Sequence, residues 1–220
     1  MKLITKPVEQ AFYALTRPLV SALIRAEVSP NAITLLGTAV VIASAWAFAV
    51  GAARWGGALY LLSGVVDTLD GAVARARRQT TRFGAFFDSS LDRVGDGATF
   101  LGIGAYFLLA PEGAVAWRAP AIILCMVAII ASLLVSYTRA RAEGLGIECR
   151  VGLVQRAERI VGLGVPTLLF GAGPGALLLE GIVAVLTLAS VITVVQRFVY
   201  VYQATEGAAA PGSVKGQSEW

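Results

Sequence analysis

The stretch "DTLDGAVARARRQTTRFGAFFDSSLD", residues 67–92, places Asp67, Asp70, Asp88 and Asp92 close together in a chain that is otherwise strongly apolar. Its two halves read as helices joined by the polar break "RRQTTR". At about 100° per residue, Asp67, Asp70, Gly71, Ala74 and Arg75 share an arc of roughly 140° on the first helix. On the second, Gly84, Asp88 and Asp92 recur every four residues and form one stripe. A connection this short makes the helices antiparallel neighbours, so two carboxylates from each face a common point. Gly71, Ala74 and Gly84 remove side-chain bulk there, which lets helices approach and leaves room for a ligand against the backbone.

The rest of the chain explains why this grouping is unusual. Of 220 residues, 57% are hydrophobic and 15% charged, and the mean hydropathy is +0.74. A soluble domain carries about 25% charged residues. The composition therefore predicts an integral membrane protein of one compact helical domain. There is no histidine, which excludes histidine bases, zinc–histidine sites and Ser-His-Asp triads. Cys125 and Cys149 have no metal-ligand spacing and imply no disulfide framework.

Six apolar stretches are long enough to span a bilayer, at about 20 residues each: 31–53, 56–77, 84–110, 117–141, 154–172 and 175–202. Before them, Val8, Phe12, Leu15, Leu19 and Leu23 fall on one face of a helix over 7–25, expected to lie in the membrane interface. The fold class is thus all-α: one membrane-embedded domain over 1–203, six transmembrane helices preceded by an amphipathic interfacial helix. Residues 204–220, polar and Gly/Ala-rich, are expected to be disordered. Only Arg54 and Arg118 fall on the side of the first and third connections, with Trp55 and Trp117 beside them. All other Lys and Arg lie toward the opposite side, which the positive-inside rule makes cytoplasmic. Both termini and the aspartate stretch then lie at the inner face of the cell membrane.

An aspartate at mid-membrane costs about 2.5 to 3.5 kcal/mol on insertion scales, and four repel one another. Cations bound between them offset that cost, and hard oxygen donors suit Mg²⁺, Mn²⁺ or Ca²⁺. Two metal ions a few ångströms apart are a known arrangement in phosphoryl chemistry, and Arg75 on the flank suits a phosphate. A structural ion network with Arg75, Arg77, Arg78, Arg82 and Arg93 leaves the small residues and shared stripe unexplained. A divalent-cation transporter expects polar residues through the outer halves of the spans, which are almost wholly apolar.

The stretch resembles the signature of the CDP-alcohol phosphotransferase (CDP-alcohol phosphatidyltransferase) family, D-x-x-D-G-x-x-A-R-x8-G-x-x-x-D-x-x-x-D. Every fixed position is filled, by Asp67, Asp70, Gly71, Ala74, Arg75, Gly84, Asp88 and Asp92. The resemblance implies transfer of a phosphatidyl group from CDP-diacylglycerol to an alcohol, with release of CMP. It makes Asp67, Asp70, Asp88 and Asp92 ligands of Mg²⁺ or Mn²⁺, two ions in all, and Asp92 also the base. Gly71, Arg75 and Thr81 are implied to contact the CDP moiety. The segment "SPNA", Ser29, Pro30, Asn31 and Ala32, resembles the family's nucleotide-side loop; it also reads as a helix start, with Ser29 as cap and Pro30 in the first turn. The family implies a homodimer among membrane lipids and no nucleic-acid partner.

The acceptor is read from outside the motif. Arg139, Arg156, Arg159 and Arg197 are placed toward the cytoplasmic side. Arginine forks grip a phosphate monoester, so a phosphorylated acceptor is expected. The elements "LDRVGDG", "SY-x-x-ARAE", the "ER" pair and "SVIT-x-VQR" are similar to actinobacterial-type phosphatidylinositol phosphate synthases, which implies an inositol phosphate as acceptor. Those enzymes tend to carry Lys where Arg139 stands and Pro where Ala157 stands. The alternative within the family is a phosphatidylglycerophosphate synthase; such relatives usually have Lys after the last motif aspartate, where this chain has Arg93.

Overall fold

In a computed structural model the described residues form an all-helical fold. The structure describes residues 6–206, with side chains from Thr16 onward. Seven α-helices follow in order: α1 Lys6–Arg25, α2 Pro30–Ala49, α3 Ala53–Ala76, α4 Arg82–Leu109, α5 Arg118–Glu143, α6 Arg156–Phe170 and α7 Leu177–Thr205. A single 3₁₀ turn, Pro174–Ala176, precedes α7. α7 runs through the start of the expected tail; residues 207–220 lie outside the described residues. Most of the apolar face expected on α1 falls on side chains that are likewise outside them.

Several helix starts are set by side chains. Ser29 caps α2, its hydroxyl accepting from the Ala32 amide at 3.3 Å, with Pro30 in the first turn. Thr81 caps α4, accepting from the Gly84 amide at 2.9 Å. At α6 the Gln155 amide donates to Glu158 Oε2 at 3.0 Å. Each cap satisfies an amide that has no partner inside its helix.

Four helices are long and apolar enough to cross a membrane: α2, α3, α5, and α7 with its preceding turn. Six spans were expected, and the other two differ for physical reasons. α4 is 28 residues long, but its first half carries Arg82, Asp88, Asp92 and Arg93, and Asp96 follows directly. α6 has only 15 residues, about 22 Å of helix against a hydrocarbon core of about 30 Å. Large apolar side chains on the outside of the bundle, such as Trp46, Leu101, Ile130 and Val185, are exposed, as lipid-facing residues are.

α2 packs on both α3 and α4, α3 on α6, α4 on α5, and α5 on α7. The main core joins Val41, Phe48, Tyr60, Phe100, Ile103, Phe107, Leu163, Leu179 and Val183. A smaller cluster of Ile33, Val66, Leu69 and Val73 seats Val20, Leu23 and Ile24 of α1. Glycine permits the tightest crossings. A Cβ on Gly102 would lie 2.1 Å from the Ala45 carbonyl oxygen, and one on Gly57 would lie 2.7 Å from the Gly164 carbonyl oxygen. α2 and α4, and α3 and α6, thereby approach closely at these glycines. Arg77 ties the end of α3 to α1, donating to the Ile24 carbonyl at 2.7 Å and the Val28 carbonyl at 3.3 Å.

Candidate active site

The antiparallel pair α3 and α4 brings the four motif aspartates to one end of the bundle. Asp67, Asp88 and Asp92 lie within electrostatic reach of one another, and Asp70 within reach of Asp67 and Asp88. They divide into two groups by surroundings.

Asp70 and Asp88 line a cleft of about 490 Å³. The same cleft is lined by Ser29, Pro30 and Asn31 from the start of α2, by Gly71 and Arg75 from α3, and by Thr81 and Gly84 from the start of α4. All the residues assigned to the CDP moiety except Ala32 therefore share one cavity. Asp70 is buried and accepts a hydrogen bond from the Thr34 hydroxyl, Oγ1 to Oδ2 2.7 Å. Thr34 stands one turn into α2. The Arg75 side chain lies back over Gly71, where a Cβ would be 3.1 Å from its Nη1. Arg75 is exposed and makes no ion pair among the described residues, which leaves its fork free.

Asp67 and Asp92 face α6 instead. Arg156 reaches both, with Nη2 2.8 Å from Asp67 Oδ2 and Nη1 3.1 Å from Asp92 Oδ1. It also donates to the Asp92 backbone carbonyl at 2.6 Å. None of the arginines in or directly after the stretch pairs with its aspartates: Arg77 holds α1, and Arg93 donates to the Ser89 carbonyl. Four carboxylates from two helices are a hard-oxygen donor set suited to divalent ions. In this structure the positive charge between Asp67 and Asp92 comes from Arg156, and among the described residues no three carboxylates are drawn into a metal cage.

One turn beyond Asp92, Asp96 is buried and was not singled out from the sequence. Its Oδ2 accepts from Arg159 Nη2 at 2.6 Å, and its Oδ1 lies 3.6 Å from Arg156 Nη1. Asp96 continues the every-fourth-residue stripe of Asp88 and Asp92, and that spacing was the signal available for it.

The arginines assigned to the acceptor take different positions. Arg156 stands at the aspartates. Arg159 is 1% exposed and paired to Asp96. Arg197 is buried and donates to the Val151 carbonyl at 2.9 Å and to the Val135 carbonyl. Arg139 is on the surface, paired with Glu143 at 2.9 Å. Arg139 and Arg159 both lie within electrostatic reach of Arg197. Among the described residues, Arg156 Nε, Arg159 Nε and Arg159 Nη1 are buried donors without a partner.

Comparison with known proteins places this geometry. Residues 27–196 match the family model described as CDP-alcohol phosphatidyltransferase. The chain is similar to the phosphatidylinositol phosphate synthase of Mycobacteroides abscessus, 38% identical over 191 residues, covering 86% of this chain and 84% of the relative. It is 40% identical over 175 residues to the archaetidylinositol phosphate synthase of Methanothermobacter thermautotrophicus, covering 78% of this chain and 82% of the relative. Its fold is similar to the crystal structure of Mycobacterium tuberculosis phosphatidylinositol phosphate synthase with CDP-DAG bound, with a TM-score of 0.75 and 32% identity over 94% of this chain and all of that one. The same enzyme in complex with manganese and citrate also gives a TM-score of 0.75, over 92% of this chain and 93% of that one. With the motif complete on α3 and α4, and the match spanning α2 to α7, the chain belongs to the CDP-alcohol phosphatidyltransferase family.

Proposed function

We propose that this protein is a phosphatidylinositol phosphate synthase, which transfers the phosphatidyl group of CDP-diacylglycerol to a hydroxyl of an inositol phosphate and releases CMP. The observation that carries the reading is the cleft shared by Asp70, Asp88, Gly71, Arg75, Thr81 and Ser29 to Asn31. Its size and its mixture of free arginine, hydroxyls and carboxylates suit a nucleoside diphosphate. Relatives at 38% and 40% identity, named as synthases of phosphatidylinositol phosphate and archaetidylinositol phosphate, support the choice of acceptor.

The residues divide the work as follows. Ser29, Pro30, Asn31, Ala32, Gly71, Arg75 and Thr81 hold the CDP headgroup, with Arg75 on a phosphate. Asp67, Asp70, Asp88 and Asp92 hold divalent metal, Mg²⁺ or Mn²⁺, in two sites. Bound there, the ions neutralise charge on the diphosphate and on the leaving CMP oxygen. Asp92 takes the proton of the acceptor hydroxyl. The hydroxyl oxygen forms a bond to the lipid-side phosphorus, and the bond from that phosphorus to the CMP oxygen breaks. Arg139, Arg156, Arg159 and Arg197 receive the acceptor phosphate; the partnerless buried donors of Arg156 and Arg159 favour an anion beside them.

In this reading α2 to α7 all cross or enter the cell membrane, α1 lies in its interface, and both termini and the site face the cytoplasm. α4 and α6 are accommodated because their charged ends line the polar cavity rather than lipid. The protein acts as a homodimer. The test is CMP release by purified enzyme with CDP-diacylglycerol and Mg²⁺, given inositol 1-phosphate or glycerol 3-phosphate separately. Release with inositol 1-phosphate supports the reading; release with glycerol 3-phosphate alone removes the acceptor assignment.

A further inference from the structure

Arg156 reaches three carboxylates at once. Its Nη2 is 2.8 Å from Asp67 Oδ2, and its Nη1 is 3.1 Å from Asp92 Oδ1 and 3.6 Å from Asp96 Oδ1. Asp67 and Asp92 come from different helices and belong to the four carboxylates assigned to metal. Asp96 does not. It lies one turn further along α4, 3% exposed, with Oδ2 held by Arg159. Its Oδ1 faces Arg156.

We infer that Arg156 is an exchange cation: it bridges Asp67 and Asp92 in the metal-free protein, yields them to the divalent ion, and is received by Asp96. The inference rests on the metal assignment proposed above. Asp67 and Asp92 are only partly exposed, at 21% and 26% of their side chains, so they repel one another, and a cation between them offsets that repulsion. The guanidinium fork meets that need across two helices, since it presents separate N–H groups to each carboxylate. A divalent ion on the same oxygens excludes the fork, because like charges this close repel and the lone pairs are already engaged. The fork then needs another anion. Asp96 has one oxygen committed to Arg159 and a second within 3.6 Å of Arg156, so a small rotation completes the transfer. Among the described residues Arg156 Nε has no hydrogen-bond partner, so the bridging position is held by the two Nη groups alone: their ion pairs and the bond from Nη1 to the Asp92 backbone carbonyl. The exchange also couples two ligands. Asp96 receives Nη1, and Nη2, released from Asp67, is left for the acceptor phosphate assigned to this side chain, so metal occupancy prepares acceptor binding.

The test is Mn²⁺ binding to the purified full-length protein in detergent, without substrates, read from the spin-resonance signal of free Mn²⁺. Wild type, Asp67→Asn, Arg156→Gln, Asp96→Asn and the Arg156→Gln/Asp96→Asn pair are compared. Arg156→Gln removes the competitor and is expected to tighten Mn²⁺ by about fivefold or more. Asp96→Asn removes the receiving anion and is expected to weaken Mn²⁺ when Arg156 is present. In the Arg156→Gln background it has no further effect, because Asp96 acts through Arg156. An equal Asp96→Asn effect in both backgrounds reveals simple through-space charge and overturns the role of Asp96. Should Asp96→Asn fail to fold, Arg156→Gln decides alone: unchanged or weaker Mn²⁺ binding overturns the exchange. If wild type binds Mn²⁺ and Asp67→Asn does not, such a failure leaves the metal assignment standing. Wild type that binds no Mn²⁺ overturns both.

Discussion

Arg159 and Asp96 form a buried ion pair, with Nη2 2.6 Å from Oδ2 and side chains 2% and 4% exposed. The pair joins α6 to α4 directly beneath the motif aspartates. Removing one partner of a buried pair leaves a charge without compensation, at about 3 to 5 kcal/mol, whereas replacing both with apolar residues is often near neutral. Asp96→Ala is therefore expected to lower the thermal midpoint of the detergent-solubilised protein sharply. Asp96→Leu combined with Arg159→Met should recover most of that loss. An Asp96→Ala protein as stable as wild type would show that Arg159 finds water or another anion.

Thr34 gives Asp70 its hydrogen bond at 2.7 Å inside the cleft. Thr34→Val keeps the shape and removes the donor. A hydrogen bond to a charged group contributes about 1.5 to 3 kcal/mol, so the carboxylate should lose orientation. The expected outcome is about a tenfold or greater fall in CMP release, with the fold intact by circular dichroism. Unchanged turnover would mean that Asp70 is held by other means.

The contact between α2 and α4 gives a test of the fold. A Cβ on Gly102 would lie 2.1 Å from the Ala45 carbonyl oxygen, while one on Gly97 would meet nothing within 4 Å. Gly102→Ala should therefore destabilise by about 1 to 3 kcal/mol, the range for overpacking. Gly97→Ala, five residues earlier on the same helix, should be neutral or slightly stabilising, since alanine favours helix. Equal effects at the two positions would contradict the crossing of α2 and α4.

The carboxylates are tested together with metal. Chelation should abolish CMP release, and Mg²⁺ or Mn²⁺ should restore it. Asp92→Asn removes the proposed base as well as a ligand and should lower turnover by at least about a hundredfold. Asp67→Asn, Asp70→Asn and Asp88→Asn should each raise the metal concentration needed for half-maximal rate. Full activity after chelation would remove the metal from the mechanism.

What the sequence made legible was local. Asp67, Asp70, Asp88 and Asp92 were readable because spacings of three and four fix a helix face, and a short connection fixes the partner helix. The Ser29 cap was readable because a serine followed by proline marks a helix start, whereas Thr81 was read only as a contact to the CDP moiety and its capping of α4 was not. Arg156 was named for the acceptor phosphate, but its bond to Asp67 spans 89 residues of sequence. That contact depends on how α6 packs against α3, through Gly57 and Gly164, and no local pattern encodes it. Thr34 meets Asp70 only because α2 lies against α3. Asp96 could have been found from its stripe, yet apolar neighbours on either side made it look like one more charge after the motif. The length of α6 was overestimated because its apolar run continues past the points where Gln155 begins the helix and Gly171, at φ 68°, ends it.

The most direct measurement is the identity of the lipid made by purified enzyme given CDP-diacylglycerol, Mg²⁺ and equal amounts of inositol 1-phosphate and glycerol 3-phosphate. Mass spectrometry should find phosphatidylinositol phosphate, formed in step with CMP and lost in Asp92→Asn. Phosphatidylglycerophosphate as the sole product would contradict the acceptor, and no lipid product from either would contradict the enzyme.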